Sequence, residues 1–140
     1  MVKGIGTDIV EVHRIKSALE ELGDRFKKEM FTQKEIDYCE QFKLNKYSHY
    51  AARFAAKEAF SKAIGTGFAR GFKFKEVSVN NLKSGKPVIM LDGAMKEKYD
   101  SFNINLSLSH TDNNAIAYLI MEENKWVKII FMAEMLLYKQ

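Results

Sequence analysis

The chain has 140 residues, the length of one ordinary domain, and its 46% hydrophobic and 29% charged residues exclude wholesale disorder. The net charge of +4 favours acidic partners but is too small to establish nucleic-acid binding. Cys39 is the only cysteine, which excludes an intrachain disulfide and a metal site built from cysteines, and predicts a reducing, cytoplasmic location.

The first forty residues predict one strand and two helices. Residues 2–10 have the pattern of a strand with glycine interruptions, and the strand leads to an aspartate, Asp8. Apolar residues then recur at helical spacing over about 12–22. Thr32 followed by Glu35 is typical of a capping box, so a second helix is expected to begin there and to continue through about Gln41.

The longest helical pattern covers about 47–64 and stops before Gly65, a favoured helix terminator. After this helix the spacing of the apolar residues changes from helical to alternating. Residues 72–79 alternate like a strand, with a phase slip at 75–76 that predicts a β-bulge. The sequence KSGKP predicts a turn into a strand at 88–91.

The last third predicts a short helix at 94–99 and a hairpin formed by strands 102–109 and 115–122. Helices gathered in the first half and antiparallel strands in the second predict an α+β fold, with helices packed on an antiparallel sheet. We expect one domain over 1–123, and a helical extension over 124–140 that is not a domain of its own.

Neither end of the chain predicts a membrane segment. The N-terminal sequence MVKGIGTDIVEVHR lacks the uninterrupted apolar segment of a signal peptide. The most apolar segment, 126–138, is interrupted by Lys128 and Glu134 and is shorter than the roughly 20 residues that a membrane span needs. We therefore expect neither secretion nor a membrane partner.

The motif RGFKFKEV (70–77) is similar to an RNA-recognition consensus, but it departs from that consensus at three positions. Lys73 stands where Gly or Ala belongs, Lys75 where Val belongs, and Val77 where an aromatic ring belongs. Base stacking also needs an aromatic residue on a neighbouring strand, which the first strand does not offer. A basic amphipathic strand is the better interpretation, and we expect no nucleic acid as partner.

Three charged side chains suggest either a metal site or an ordinary salt bridge. Asp8 lies near the end of the first strand, and Glu58 and Lys62 lie one turn apart on the alanine-rich third helix. Two carboxylates from different elements suit Mg²⁺, which fills its octahedron with water and phosphate oxygens. Glu58 and Lys62 also have the order of a common helix salt bridge, and spacing alone favours that second interpretation. On the same grounds, His110 in the hairpin is an ordinary turn residue.

Four blocks of sequence, in this order and spacing, together resemble one enzyme family. GIGTDIVEVHRI (4–15), RFAAKEAFSKAIGTG (53–67), SGKPVI (84–89) and LSLSHTDNNAIA (106–117) are similar to the same blocks in holo-acyl-carrier-protein synthases, the short bacterial 4′-phosphopantetheinyl transferases. The resemblance extends from about Val2 to about Met121. It implies that the fold is that of these transferases and that residues 1–123 form the transferase domain.

The resemblance implies transfer of the phosphopantetheine arm of coenzyme A to a serine of apo-acyl carrier protein, with release of 3′,5′-ADP, in support of fatty acid biosynthesis. It implies Mg²⁺ as cofactor, and a homotrimer in which each coenzyme site is shared between neighbouring subunits. It also assigns site residues. Asp8 and Glu58 would hold the metal and, with Lys62, would be catalytic; the coenzyme would be bound by Arg53, Lys62, Gly65, Thr66, Gly67, His110 and Thr111.

The residue that removes the serine proton stays open at this stage. Glu58, acting through a metal-bound water, is our first choice, and Glu35 and Asp37 are the alternatives. The sequence by itself does not distinguish these three carboxylates.

The first helix is expected to dock the acidic carrier protein. Arg14 matches the basic position at which the family binds its carrier, and Lys16, Arg25 and Lys28 extend that basic character. Two acidic residues, at 20–21, interrupt it. The tail from Lys125 onward lies outside the resemblance. Because it is apolar on nearly every side, we expect it to be buried against its own trimer or a partner, and poor order is the alternative.

Two other functional classes remain possible from sequence alone. A basic RNA-binding module would bind oligonucleotides with a steep salt dependence and without coenzyme A. A non-catalytic binder of carrier protein would bind the carrier and transfer nothing. Transfer of a group from coenzyme A to the carrier separates the enzyme from both alternatives.

Overall fold

The computed structural model describes residues 1–69 and 71–137, and the expected α+β fold is confirmed. The first half of the chain contains β1 (Val2–Glu11), α1 (Val12–Met30), α2 (Gln33–Glu40) and α3 (Lys46–Ala63). The second half begins with a 3₁₀ turn (Phe74–Glu76), followed by β2 (Val77–Asn81), β3 (Pro87–Leu91), α4 (Gly93–Tyr99), β4 (Phe102–His110), β5 (Asn114–Glu123) and α5 (Lys125–Leu137). Arg70, the first residue of the RNA-like motif, lies outside the described residues. So do residues 138–140, the last three of the tail.

The main sheet has the order β1-β5-β4, and both of its strand pairs are antiparallel. The predicted hairpin is therefore confirmed as β4 and β5, and the N-terminal strand is added to the outer edge of β5. β2 and β3 form a second antiparallel pair that is not hydrogen-bonded to this sheet, although β3 lies beside β4. Asp8 of β1 pairs with Ala117 of β5, the central strand of the sheet.

Helix α3 lies against one face of the main sheet because small residues on both sides permit a close approach. Gly4 and Gly6 of β1 lie so near α3 that a Cβ atom on either would clash with the backbone carbonyl of Ala63 or Ala59, respectively. Ala59 is itself fully buried, and so are several other alanines of the helix. The glycines of the first strand and the alanines of the third helix therefore act together to permit this close packing.

Helix α1 continues beyond its predicted end. The backbone leaves helical geometry at Gly23, with φ of 63° and ψ of −148°, and then resumes a helix that reaches Met30. The helical spacing of apolar residues predicted an end at about residue 22, and a glycine with positive φ is a common helix terminus. Tertiary packing of the second segment, through Phe26 and Met30, extends the helix past the kink.

The strand predicted over 72–79, with a bulge at 75–76, is wrong in its first half. Residues Phe74–Glu76 form the 3₁₀ turn, and the strand begins only at Val77. The carbonyl oxygen of Phe74 accepts from Lys57 Nζ at 2.8 Å, so it is not available to a neighbouring strand. The carbonyl oxygen of Glu76 accepts from the amide of Asp92 at 2.8 Å, which continues the β2–β3 pairing by one residue. The motif that resembled an RNA-binding strand is therefore not a strand along most of its described length.

The capping box at Thr32 is confirmed, and its glutamate has a second role. Glu35 Oε2 accepts from the amide of Thr32 at 2.9 Å, while Thr32 Oγ1 accepts from the amide of Glu35 at 3.3 Å. Glu35 Oε2 also accepts from Lys57 Nζ at 2.9 Å, and Oε1 accepts from the amide of Val79 at 2.9 Å. The fully buried Glu35 thus joins α2, α3 and β2.

Helix α5 follows directly on β5, and within Lys125–Leu137 none of its side chains is buried in the single chain. In the described residues, no helix is both long enough and apolar enough to cross a bilayer. The division into a domain over 1–123 and an extension over 124–140 remains a prediction.

Candidate active site

The three charged side chains singled out in the sequence come together between β1 and α3. Lys62 Nζ donates to Asp8 Oδ1 at 2.8 Å and to the backbone carbonyl of Thr7 at 3.0 Å. Among the ion pairs of the described residues, Lys62 pairs with Asp8 and not with Glu58. The helix salt bridge that spacing alone favoured is therefore wrong, because the strand residue lies closer to the lysine than the residue one helical turn away.

The carboxylate of Asp8 is only half satisfied. Its side chain is 8% exposed, Oδ1 accepts from Lys62, and Oδ2 is buried without a hydrogen-bond partner. A buried carboxylate oxygen without a donor is costly, since such atoms are almost always paired in native proteins. Asp8 Oδ2 therefore marks a place where a cation or a donor from a bound molecule would be stabilised.

Glu58 adds a second carboxylate at the same place. Burial, and then the Asp8 carboxylate, as an acceptor for the protonated form and through its negative charge, raise the pKa of Glu58 from 4.5 to about 7, while Lys62 and Arg14 oppose the rise. A carboxyl whose ionised form is disfavoured beside a second carboxylate would be stabilised by additional positive charge, which one lysine only partly supplies. This electrostatic arrangement fits a divalent cation.

The donor set also fits the expected metal. No group of three or more His, Cys, Asp or Glu side chains with ligand geometry occurs within residues 1–69 and 71–137. Zinc sites usually use three or four such ligands, whereas Mg²⁺ is held by one or two carboxylates together with water and substrate phosphates. Asp8 and Glu58 are the residues that would hold it.

A cleft of about 400 Å³ opens beside Glu58. Arg14 of α1 contributes a positive charge at its wall, and most of the other lining side chains are apolar. The aromatic ones come from α1, α3 and the segment between α3 and β2: Phe26, Phe54, Phe68 and Phe74. This wall has no signature in the sequence, because aromatic residues in an irregular segment carry no periodicity that would place them together.

His110 and Thr111 form a separate group where β4 ends and the hairpin turn begins. The ring of His110 lies edge-on to His49, with centroids 5.5 Å apart, and His49 stacks on Phe42 at 3.8 Å. Thr111 Oγ1 accepts from the amides of residues 113 and 114, which closes the hairpin turn. Burial, and then the charge of Arg53, lower the pKa of His49 to about 4, so that its imidazole is neutral near pH 7.

One chain does not bring this group to the carboxylates. His49 and Glu58 are nine residues apart on α3, about 13 Å at 1.5 Å per residue. On the sheet, β4 and β1 lie on opposite sides of β5, about 10 Å apart at the usual strand spacing. The two halves of the expected site therefore do not converge within a single chain.

Arg53, expected to bind the coenzyme, is buried in this chain. It is 2% exposed, its Nη2 donates to Asn81 Oδ1 at 2.7 Å, and its guanidinium lies 3.9 Å from the centre of the Tyr38 ring. Its Nε has no hydrogen-bond partner, which leaves one donor unused.

The glycine turn expected to receive the nucleotide end follows α3 directly. Gly65 and Gly67 both have positive φ, and the amides of Thr66 and Gly67 donate to the carbonyl of Ser61 at 3.3 and 3.1 Å. The turn thus lies one helical turn beyond Lys62, at the end of α3 that carries the lysine. Glycine is required at its two left-handed positions because other residues are strained there.

The four basic residues expected to dock a partner have different local contacts. Arg14 lies at the cleft beside Glu58, and Lys16 lies over the Tyr47 ring at 5.6 Å. Beyond the kink, Arg25 Nε is paired with Glu29 at 3.0 Å, and Lys28 lies at another cleft. Arg14 is the one of the four whose contacts place it beside the carboxylates.

Comparisons with known proteins agree with the resemblance found in the sequence. The sequence model of the 4′-phosphopantetheinyl transferase superfamily matches residues 4–119. A holo-[acyl-carrier-protein] synthase of Ruminiclostridium cellulolyticum is 49% identical over 120 residues, which are 84% of this chain and 90% of that protein.

Solved structures with the same fold include two bacterial synthases. A holo-(acyl-carrier-protein) synthase of Bacillus anthracis, in complex with CoA (3′,5′-ADP), is 34% identical with a TM-score of 0.74, over 89% of this chain and 99% of that one. The synthase of Neisseria meningitidis is 33% identical with a TM-score of 0.78, over 88% of this chain and 100% of that one. Helix α5 lies beyond the residues matched by the family model.

Proposed function

The chain belongs to the 4′-phosphopantetheinyl transferase superfamily, and we propose that it transfers 4′-phosphopantetheine from coenzyme A to a serine of apo-acyl carrier protein. The second product is 3′,5′-ADP. The single observation that carries the proposal is the Asp8–Glu58–Lys62 cluster, which lies within the matched residues and has the charge pattern that a metal-dependent phosphoryl transfer needs.

Asp8 and Glu58 hold Mg²⁺ in this proposal, and Lys62 holds the pyrophosphate of coenzyme A. When bound, Mg²⁺ supplies positive charge to the phosphate oxygens as the serine displaces 3′,5′-ADP at the β-phosphorus. Lys62 has a 52% exposed side chain and is anchored by Asp8 Oδ1, so its ammonium is fixed yet reachable. It stabilises the charge that develops on the departing phosphate.

Glu58 remains our first choice for accepting the serine proton. Glu35 is fully buried and its oxygens accept from the donors described above, which leaves it no access to a substrate hydroxyl. Asp37 is exposed and accepts from Gln33 Nε2 at 2.8 Å. It lies on α2, whereas Glu58 lines the cleft itself.

A homotrimer with shared coenzyme sites would reunite the two halves of the site. The His110–Thr111 group of one subunit would then complete the carboxylate site of its neighbour. The separation of about 10 Å or more within one chain supports this arrangement. The outer face of the sheet, which exposes Ile5 and Ile9, supplies an apolar surface for such contacts.

The carrier protein docks at α1, with Arg14 beside the entrance to the cleft. The free, buried Cys39 suits a reducing compartment, and we place the enzyme in the cytoplasm, where it supports fatty acid biosynthesis.

Intact-mass spectrometry of apo-acyl carrier protein, incubated with coenzyme A and Mg²⁺, tests the function. The carrier should gain one phosphopantetheine group, and 3′,5′-ADP should appear in equal amount. Asp8→Asn should abolish most of the transfer while a normal thermal transition is kept. Binding of the carrier without any gain in mass would establish a non-catalytic binder in place of the enzyme.

A further inference from the structure

Helix α5 has the composition of a buried helix and the exposure of a surface helix. Its large apolar side chains are between 43% exposed at Val127 and 74% exposed at Trp126 and Leu137. The described charged residues of the helix, Lys125, Lys128 and Glu134, point in different directions at 100° per residue, so they do not form a polar face. An exposed apolar surface of this extent marks an interaction site.

One side of α5 has the spacing of a helix–helix seam. Trp126, Ile130, Ala133 and Leu137 follow each other at intervals of four, three and four residues, which is the a/d pattern that inserts into a second helix. Ala133 places a small residue within the seam, where two backbones can approach. We call these four residues the α5 seam.

The opposite side of α5 faces the body of its own chain. Val127, Phe131 and Met132 border a groove of about 440 Å³ whose other wall includes Phe102 at the start of β4. None of the α5 seam residues lines that groove. The seam therefore faces away from its own domain.

We propose that the α5 seam packs against the α5 seam of a second copy of this chain. With its neighbours Ile129 and Leu136, the seam offers on the order of 500 Å² of apolar surface per copy, so a pair of seams reaches the roughly 1,000 Å² of a specific interface. A membrane surface fits less well, because a helix that lies in a bilayer interface needs a strongly polar face. The helix lies outside the family match, so this association is additional to the transfer reaction.

Single cysteines test the proposal in the full chain. Cys39 is buried, and burial raises the pKa of its thiol to about 12, so an introduced cysteine is the reactive one. Ala133→Cys should form a disulfide-linked dimer within minutes under copper-phenanthroline oxidation. Met135→Cys, two residues away on the opposite side of the helix, should cross-link at least tenfold more slowly. Equal rates for the two variants would overturn the proposal.

Charge variants provide a second, equilibrium test. In analytical ultracentrifugation, Ile130→Glu should lower the association state at micromolar concentration, while Met135→Glu, a matched change on the other side, should not. Transfer to the carrier should be unchanged in both. The proposal is overturned if Ile130→Glu sediments like the unmodified chain. It is also overturned if the only effect of Ile130→Glu is to abolish binding to phosphatidylglycerol vesicles, since the seam would then be a lipid contact.

The sheet-mediated trimer is tested separately by Ile5→Glu on the outer face of β1. If Ile5→Glu dissociates the protein but Ile130→Glu does not, the shared-site proposal stands and the seam proposal is lost. If Ile130→Glu dissociates the protein but Ile5→Glu does not, the seam proposal is supported and the sheet interface is excluded.

Discussion

Lys57 and Glu35 form an ion pair at 2.9 Å in which both side chains are completely buried. The same Nζ donates to the carbonyls of Phe74 and Val77, each at 2.8 Å, so all three donors of the ammonium are used. Burial lowers the pKa of Lys57 and the charge of Glu35 opposes that shift. One side chain thereby holds the 3₁₀ turn, and with it the Phe74 wall of the cleft, against α3.

Removing one partner of this pair should be strongly destabilising. We expect Lys57→Met to lower the free energy of unfolding by about 3–5 kcal/mol, because Glu35 would remain buried without its counter-charge. The double variant Lys57→Met/Glu35→Leu should recover a large part of that loss. Urea denaturation followed by circular dichroism measures both values.

Lys46→Met is the matched control, since it removes the partly exposed pair with Glu40 at 3.4 Å. Its cost should stay below about 1 kcal/mol. If Lys46→Met and Lys57→Met lower the free energy of unfolding equally, burial does not determine the strength of the Lys57–Glu35 pair.

The sequence predicted most elements of this fold, because periodicity and end signals are local. The capping box at Thr32, the helix ending before Gly65 and the β4–β5 hairpin were all predicted correctly. The strand expected at 72–76 was wrong because Lys57, which is distant in sequence, takes the carbonyl of Phe74. An alternating pattern predicts a strand only where a neighbouring strand is available for pairing.

The candidate site follows from the sequence as a set of proposed residues but not as a geometry. Asp8, Glu58 and Lys62 were found through matched motifs, whereas the pairing of Lys62 with Asp8 depends on the register between β1 and α3. The burial of Arg53 and the separation of His110 from Glu58 could not be predicted from the sequence, for the same reason. Both depend on which face of α3 meets the sheet.

Removing the charge of Glu58 should stabilise the protein when no divalent cation is present. Because folding raises the pKa of this carboxyl from 4.5 to about 7, its unfavourable contribution grows as the pH rises through that interval and is complete above about 7. In EDTA, Glu58→Gln should therefore melt at a higher temperature than the unmodified chain at pH 8. The difference should disappear near pH 4.

Mg²⁺ should reverse this order in differential scanning fluorimetry. Millimolar Mg²⁺ should raise the melting temperature of the unmodified chain at pH 8 and have little effect on Glu58→Gln. Glu97→Gln, an exposed change on α4, is the control and should respond like the unmodified chain. A similar Mg²⁺ response in Glu58→Gln would remove Glu58 from the metal site.

His49 should make the protein sensitive to mild acid. Folding lowers its pKa from 6.5 to about 4, so the unfolded chain binds a proton that the folded chain does not, and stability is lost as the pH falls across this interval. The groups that face it are Phe42, Tyr38, His110 and Arg53. His49→Phe should reduce the loss in free energy of unfolding between pH 7 and pH 4.5.

His13→Phe serves as the comparison, because the His13 side chain is 75% exposed. It should keep the acid sensitivity of the unmodified chain. If His49→Phe is equally acid-sensitive, another group causes the loss.

Arg14 should govern the use of the carrier protein more than the use of coenzyme A. It is exposed at the cleft, and an exposed cation that meets an acidic partner steers association and is screened by salt. Because the Debye length falls from about 10 Å at 0.1 M to about 3 Å at 1 M, high salt should raise KM for the carrier more than KM for coenzyme A. Arg14→Glu should raise the carrier KM by about tenfold, or about 1.4 kcal/mol.

The structure supplies a control for Arg14 on the same helix. Lys16→Glu makes the same charge reversal two residues away, but Lys16 lies over Tyr47 and away from the cleft, so its effect on the carrier KM should be small. Arg14 also lowers the pKa of Glu58, so any effect of the variant on that carboxyl should appear in kcat, separately from KM. Steady-state kinetics with each substrate varied, at low and high salt, measure these KM and kcat values. Equal carrier KM values for Arg14→Glu and Lys16→Glu would mean that docking does not depend on the cleft side of α1.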